Sequence, residues 1–234
     1  MSDTPVQNSS PPRRGLSNTL FSWPGKVCGT LICSLFFSLV IEWLGIAFFW
    51  PEQGAEHSRM MMLREAGWFA GNVTRSLLIT DPAEKLSIIL HHTWQWFFID
   101  TGLIPWSERL LQQHTSNVFF FWFNTYIQAT VYITLTFVLR VFILLLTAPL
   151  FLLAALTGAV DGLVRRDIRR FGCGYESGFI YHHARQRVIP VFFLAWTVYL
   201  SLPFSVNPVL ILLPAATLFG GIITLSVGAF KKYL

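Results

Sequence analysis

The chain has 234 residues, 53% of them hydrophobic and only 12% charged, with a net charge of +5 and a mean hydropathy of +0.54. Soluble domains carry about 25% charged residues, so this composition cannot clothe a globular surface in water, whereas it suits one that faces lipid. Three cysteines, Cys28, Cys33 and Cys173, show no CxxC or Cys/His spacing, which argues against a disulfide framework and against structural zinc.

Residues 1–26 are rich in Pro, Ser and Asn and are expected to form a cytoplasmic, disordered tail. The apolar stretch 27–50 follows, broken by one charge, Glu42. It exceeds the roughly 7–15 residues of a signal-peptide core and shows no small-residue cleavage site before Pro51, so it reads as an uncleaved first span. Residues 51–117 are expected to be a helical, interfacial region on the periplasmic side. His57–Ile79 is partly helical in pattern, and Ala83–Ile99 follows Asp81-Pro82, which predicts an Asp cap with proline in the first turn. A short third helix is expected after Pro105, with Trp94, Trp96 and Trp106 at the interfacial level. His91 and His92 diverge by about 100° on a helix, and Glu84 and Asp100 complete no metal-binding spacing, so no metal site is expected.

Residues 118–160 form one apolar run interrupted by Arg140 and Pro149. A span needs about 20 residues to cross about 30 Å, so the run is long enough for two. A hairpin at Leu139-Arg140-Val141 would have no Gly, Pro or Asn to turn on, and charge decides the matter. With one span there and the tail inside, Arg13, Arg14, Lys26, Arg165, Arg166, Arg169, Arg170, Arg185, Arg187, Lys231 and Lys232 are cytoplasmic, while loop 51–117 has five basic against seven acidic residues. That obeys the positive-inside rule. The expectation is one long second helix over 118–160, its membrane part about 140–160. A basic cytoplasmic loop over 161–187 and spans at 188–203 and 208–230 complete the chain. The predicted fold is all-α: a bundle of four transmembrane helices, N-in and C-in, in a bacterial inner membrane.

Two ionisable residues fall inside the spans. Glu42 and Arg140 both belong to the outer half, and an unpaired charge there costs several kcal/mol, so an intramembrane Glu42–Arg140 pair is expected. The alternative is a protonated Glu42 with Arg140 reaching the headgroups. Ala216, Gly220, Thr224 and Gly228 recur every four residues and predict a close helix-packing face, as do Ala154 and Gly158.

The loop DGLVRRDIRRFGCGYESGFIYHHAR (161–185) is the most informative segment. The second helix should continue through Phe171, with Arg165, Arg166, Arg169 and Arg170 near its negative end, and stop at Gly172 and Gly174. Asp161-Gly162 lacks the further aspartates of a CDP-alcohol phosphotransferase, and one His182-His183 pair is too little for a membrane di-iron enzyme. Cys173 and His183 have no orienting partner for nucleophilic catalysis. The plain reading is a topology-setting loop on anionic membrane lipids; the functional one is a docking surface made by Arg165, Arg166, Arg169, Arg170, Tyr181, His182, His183 and Arg185.

This loop, with FVLRVFILLLTAPLFLLAALTGAV (137–160) and, more loosely, WQWFFIDTGLIPW (94–106) and the first span, resembles the integrating conjugative element membrane proteins. Cys173 stands where a small residue is more usual. The resemblance implies a bacterial inner-membrane protein of a conjugative type IV secretion system, encoded beside a TraD-type coupling ATPase, and it transfers no catalytic residue. The expected role is a non-enzymatic accessory or scaffold subunit without cofactor. Its partners are lipids and the coupling ATPase or other secretion subunits, and a homo-oligomer is compatible. Direct nucleic-acid binding is disfavoured because topology already accounts for the basic set. The rival reading is a small transporter or channel.

Overall fold

The computed structural model describes residues 16–72, 79–113, 118–172 and 178–229. Among these there are seven α-helices: α1 (Leu16–Phe48), α2 (Ala55–Asn72), α3 (Pro82–Trp94), α4 (Leu103–Gln113), α5 (Val118–Phe171), α6 (Gly178–Ser201) and α7 (Pro208–Gly228). A π-helical segment, Gln95–Asp100, continues α3. No strand occurs among the described residues. Of the expected N-terminal tail, residues 1–15 lie outside the described residues, and 16–26 are the first turns of α1.

Local chemistry explains where the helices start and stop. Asn207 caps α7 by accepting from the Val209 amide at 3.0 Å, and Pro208 occupies the first turn, where its missing N–H is no loss. Pro82 plays the same part in α3. The expected Asp81 cap does not form: Asp81 has φ +86°, in the left-handed region, and its carboxylate makes no cap hydrogen bond. A side-chain cap requires an extended cap residue whose oxygen points at the next amides, and the left-handed backbone turns it away. α5 runs unbroken through Arg140 and Pro149 for 54 residues, about 81 Å.

α5 is the rail on which the other helices are arranged. α7 runs parallel to it. Gly220 lies against Ala154 and Gly158, and the Thr224 hydroxyl donates to the Gly158 carbonyl at 3.0 Å. Gly162 meets Thr224, Val227 and Gly228. The four small residues Ala216, Gly220, Thr224 and Gly228 are all buried, because bare backbone is what lets two helices approach this closely. α6 returns antiparallel, with Phe192 between Phe151 (5.5 Å) and Phe219 (5.4 Å).

α1 also runs antiparallel to α5, but at a different level. The Trp43 indole donates to Thr130 at 3.1 Å, Ile46 packs with Ala129, and Trp50 joins Trp122. At equal helical rise, the apolar part of α1 therefore flanks roughly residues 125–146 of α5, while α7 flanks roughly 144–166. The two stretches expected as the first and last spans stand nearly end to end along α5. α6 is shared by both: it packs on α7 and on α1, whose Leu31 and Leu35 join the cluster of Leu139, Tyr199 and Leu200.

The segment between the first two apolar helices is helical, as expected, and folds around the first half of α5. α2 presents Ala55, Ser58, Met61, Glu65 and Phe69 to it, a buried row at helical spacing. Phe98, Val131 and Leu135 form a further core with Trp94 and Ile104. Three helical stretches, Pro24–Phe48, Val118–Phe171 and Pro208–Gly228, are long and apolar enough to cross a membrane. That is the property of a multi-pass membrane protein. α6, which holds the expected span 188–203, is not among the three.

A Cβ added at Gly158 would overlap the Gly220 carbonyl, whereas one added at Gly221 meets nothing within 4 Å. Gly158→Ala is expected to destabilise the detergent-solubilised protein by about 1–3 kcal/mol through forced separation of the helices. Gly221→Ala should be neutral or slightly stabilising, and thermal unfolding of both variants compares them.

Candidate functional site

The last carbonyls of a helix have no partner within the helix and carry its negative dipole end. At the end of α6 two of them, with two carbonyls of the turn that follows, point at Arg140, which reaches across from the middle of α5. One guanidinium nitrogen, Nη1, donates to the carbonyl of Leu202 at 2.6 Å, with those of Leu200 and Tyr199 at 3.3 and 3.4 Å. Nη2 donates to the Phe204 carbonyl at 3.1 Å. On its other edge Arg140 grips Glu65 of α2, Nε to Oε2 at 3.0 Å and Nη2 to Oε1 at 2.5 Å. Such a bidentate fork uses the planar donor set that lysine lacks. Tyr199 places its ring 5.8 Å from the guanidinium carbon, and the group is 2% exposed.

The partner of Arg140 is therefore Glu65, and the expected Glu42–Arg140 pair is replaced. The register of α1 gives the reason. With Trp43 beside Thr130, Glu42 sits some nine residues, about 14 Å, from Arg140 along α5. Glu42 is fully buried elsewhere, its Oε1 accepting from Ser58 Oγ at 2.6 Å and from His57 Nδ1 at 3.0 Å. Trp50 stacks on that imidazole, centroids 4.1 Å apart. Glu42 Oε2 and Trp50 Nε1 are both buried without a hydrogen-bond partner. Glu65 and Ser58 were missed from the sequence. The signal was available, since both are polar on the otherwise apolar row Ala55–Met61–Phe69 of α2.

A second arginine of α5 closes the other helix end. Arg169 Nη2 donates to the carbonyl of Gly228, the last residue of α7, and its Nε is buried without a partner. The four clustered arginines thus divide. Arg169 holds α7; Arg165 pairs with Asp161 at 3.0 Å and Arg170 with Asp167 at 3.9 Å, both exposed and on the same helix. Exposed pairs of this kind contribute about 0–1 kcal/mol, so these two cations stay available to solvent and to other surfaces. Arg166 is half-buried. From the last turn of α7 onward the helix carries Val164, Ile168 and Phe171 on its surface, Phe171 being 91% exposed. The side chains of Tyr181, His182, His183 and Arg185 lie outside the described residues, as does Cys173. His91 and His92 are exposed on α3, and no cluster of three His, Cys, Asp or Glu side chains suited to a metal occurs among the described residues.

Residues 49–231 match the family described as "DtrJ-like: IncC plasmid conjugative DNA transfer protein DtrJ-like". The chain belongs to the DtrJ-like family. The match spans every described helix except α1, and it makes this a conjugative DNA transfer-related protein. No curated protein and no solved structure matches the chain. In a DtrJ-like chain the Arg140 anchor falls within the matched region, together with both of its partner segments.

Removing one member of a buried ion pair strands the other. Glu65→Ala and Arg140→Ala are each expected to lose about 3–5 kcal/mol of stability, and the double variant clearly less than the sum. Arg140→Lys should resemble Arg140→Ala more than wild type. By contrast Glu42→Gln keeps the Ser58 contact and should change stability by about 1 kcal/mol or less. Denaturation midpoints in detergent for the five variants and the wild type check the order.

Proposed function

We propose that this chain is a non-enzymatic accessory or scaffold subunit of a conjugative type IV secretion apparatus, whether the element is a plasmid or integrated. It crosses the bacterial inner membrane four times, with both ends inside. It docks a TraD-type coupling ATPase, or another secretion subunit, through the basic segment 161–187. The observation that carries this reading is the inner end of α5. There the helix runs on from the last turn of α7 and offers an apolar row, Val164, Ile168 and Phe171, at spacings of four and three beside Arg165 and Arg170. Apolar anchors at these intervals suit a groove on a partner, and the arginines suit an acidic rim.

The transporter reading has less support. A transport path needs ionisable groups free to change state, and Arg140 is held by Glu65 and four backbone carbonyls.

Two variants separate docking from folding. Arg165 and Arg170 replaced together by Gln, with Ile168→Ala and Phe171→Ala, should lower conjugative transfer about tenfold or more, the equivalent of ~1.4 kcal/mol of lost docking energy, at unchanged protein level. Arg169→Gln should instead lower accumulation, because it uncaps α7. Transfer frequency and immunoblots are the readouts, and equal loss of transfer and protein in the first variant would reduce the segment to an insertion signal. Cysteine labelling at position 170 from the cytosolic side, and not from the periplasm, is expected on the proposed topology.

A further inference from the structure

Glu65 is taken up by Arg140, but the other buried carboxylate, Glu42, holds a histidine. Its Oε1 accepts from Ser58 Oγ at 2.6 Å and from His57 Nδ1 at 3.0 Å. Trp50 covers one face of that imidazole, with centroids 4.1 Å apart. The ring is thereby fixed in both position and tautomer. With the proton on Nδ1, Nε2 at the opposite edge keeps its lone pair. Histidines that ligate metal ions are oriented in this manner, the other ring nitrogen donating to a carboxylate.

His57 also borders a cavity of about 490 Å³ between α2 and the α6–α7 turn, with Met60 and Met61 beside it and Phe204 and Ser205 from the turn. Positions three and four residues along a helix lie about 60° and 40° to either side of the first. An imidazole and two thioethers therefore share one face of α2. Met60 is 43% exposed, whereas Met61 is buried with its sulfur 3.8 Å from Arg140 Nη2. That weak contact uses one lone pair of the thioether and leaves the other. Charge around the cavity is nearly balanced. Arg140 is matched by Glu65 and Arg59 by Glu56, which leaves Glu42 behind the ring and Arg64 on the wall. Neutral sulfur and nitrogen donors in such a place suit a soft monovalent cation. A hard dication needs about six oxygen ligands, and the carboxylate on this wall, Glu56, is already held by Arg59.

We propose that His57 Nε2, with the thioethers of Met60 and Met61, forms a binding site for a soft monovalent metal ion of the Cu(I) or Ag(I) class. Glu42 is the positioning residue: it does not touch the ion but fixes the tautomer and direction of the imidazole. Arg140 contributes at one remove, because its grip on the Phe204 carbonyl holds the turn that borders the cavity. The site is separate from the basic end of α5, and its metal binding can be measured without any transfer partner.

Thiolates also bind Cu(I), so the test uses the full-length chain in detergent carrying Cys28→Ser, Cys33→Ser and Cys173→Ser. Cu(I), kept reduced by ascorbate, is titrated in competition with the chelator bicinchoninate, and uptake of a single ion per chain is expected. Met60→Leu, a volume-conserving change at an exposed position, should weaken binding about tenfold or more, since losing even a partner that orients a ligand costs that much. Glu42→Gln should weaken it by about tenfold as the ring loses its fixed direction. Met62→Leu is the control: that side chain is turned about 140° from His57 and packs with Phe98 and Val131, so binding should match the parent. X-ray absorption at copper should report both sulfur and nitrogen neighbours. Absence of Cu(I) uptake, uptake indifferent to Met60→Leu and Glu42→Gln, or an equal loss on Met62→Leu would overturn the site. Tighter binding of Zn(II) than of Cu(I) would overturn the assignment to a soft ion.

Discussion

A helix end leaves carbonyl groups that need donors, and much of this molecule is organised around meeting that need at the end of α6. Arg140 supplies the donors from the side of α5, and its charge is in turn neutralised by Glu65 from α2. One side chain thereby ties three helices and the α6–α7 turn to a single point. The buried charge is tolerable because its partners surround it: a carboxylate on one edge, carbonyl oxygens on the other, and an aromatic ring nearby. Its effect is to fix position more than to add stability, since an apolar packing of the same volume could serve for the latter.

The same device recurs 29 residues along α5, about 43 Å away, where Arg169 meets the end of α7. Between the two anchors, α5 and α7 touch through glycine, alanine and threonine, so the helices are held by close backbone contact over their length and by arginine at their ends. The outer helices α2 to α4 gather on the first half of α5, and the arginine-rich end projects past α7 at the other. α5 is thus a long rail, packed over on its first half by α2 to α4 and rich in arginine at its far end. Membership of a conjugative transfer family gives that form its setting.

Much of this was legible in the residues. Hydrophobic length and charge placement identify a helical chain with membrane-long stretches, and the missing turn residues at Leu139-Arg140-Val141 identify one continuous α5. The four-residue repeat of Ala216, Gly220, Thr224 and Gly228 marks a face that is indeed buried. All of these follow from local rules: periodicity, turn chemistry and the solvent each residue prefers.

What only the tertiary structure decided is register. Glu42 and Arg140 look like partners because both are charges in apolar helices, yet the offset between α1 and α5 sends Glu42 to His57 and Ser58, and gives Arg140 to Glu65. The roles within the arginine cluster divide for the same reason, since only Arg169 comes level with the last carbonyl of α7. Composition and spacing say how each helix faces its solvent, one chain segment at a time. How far one helix slides along another depends on side chains from both at once, and no single stretch of sequence holds that information.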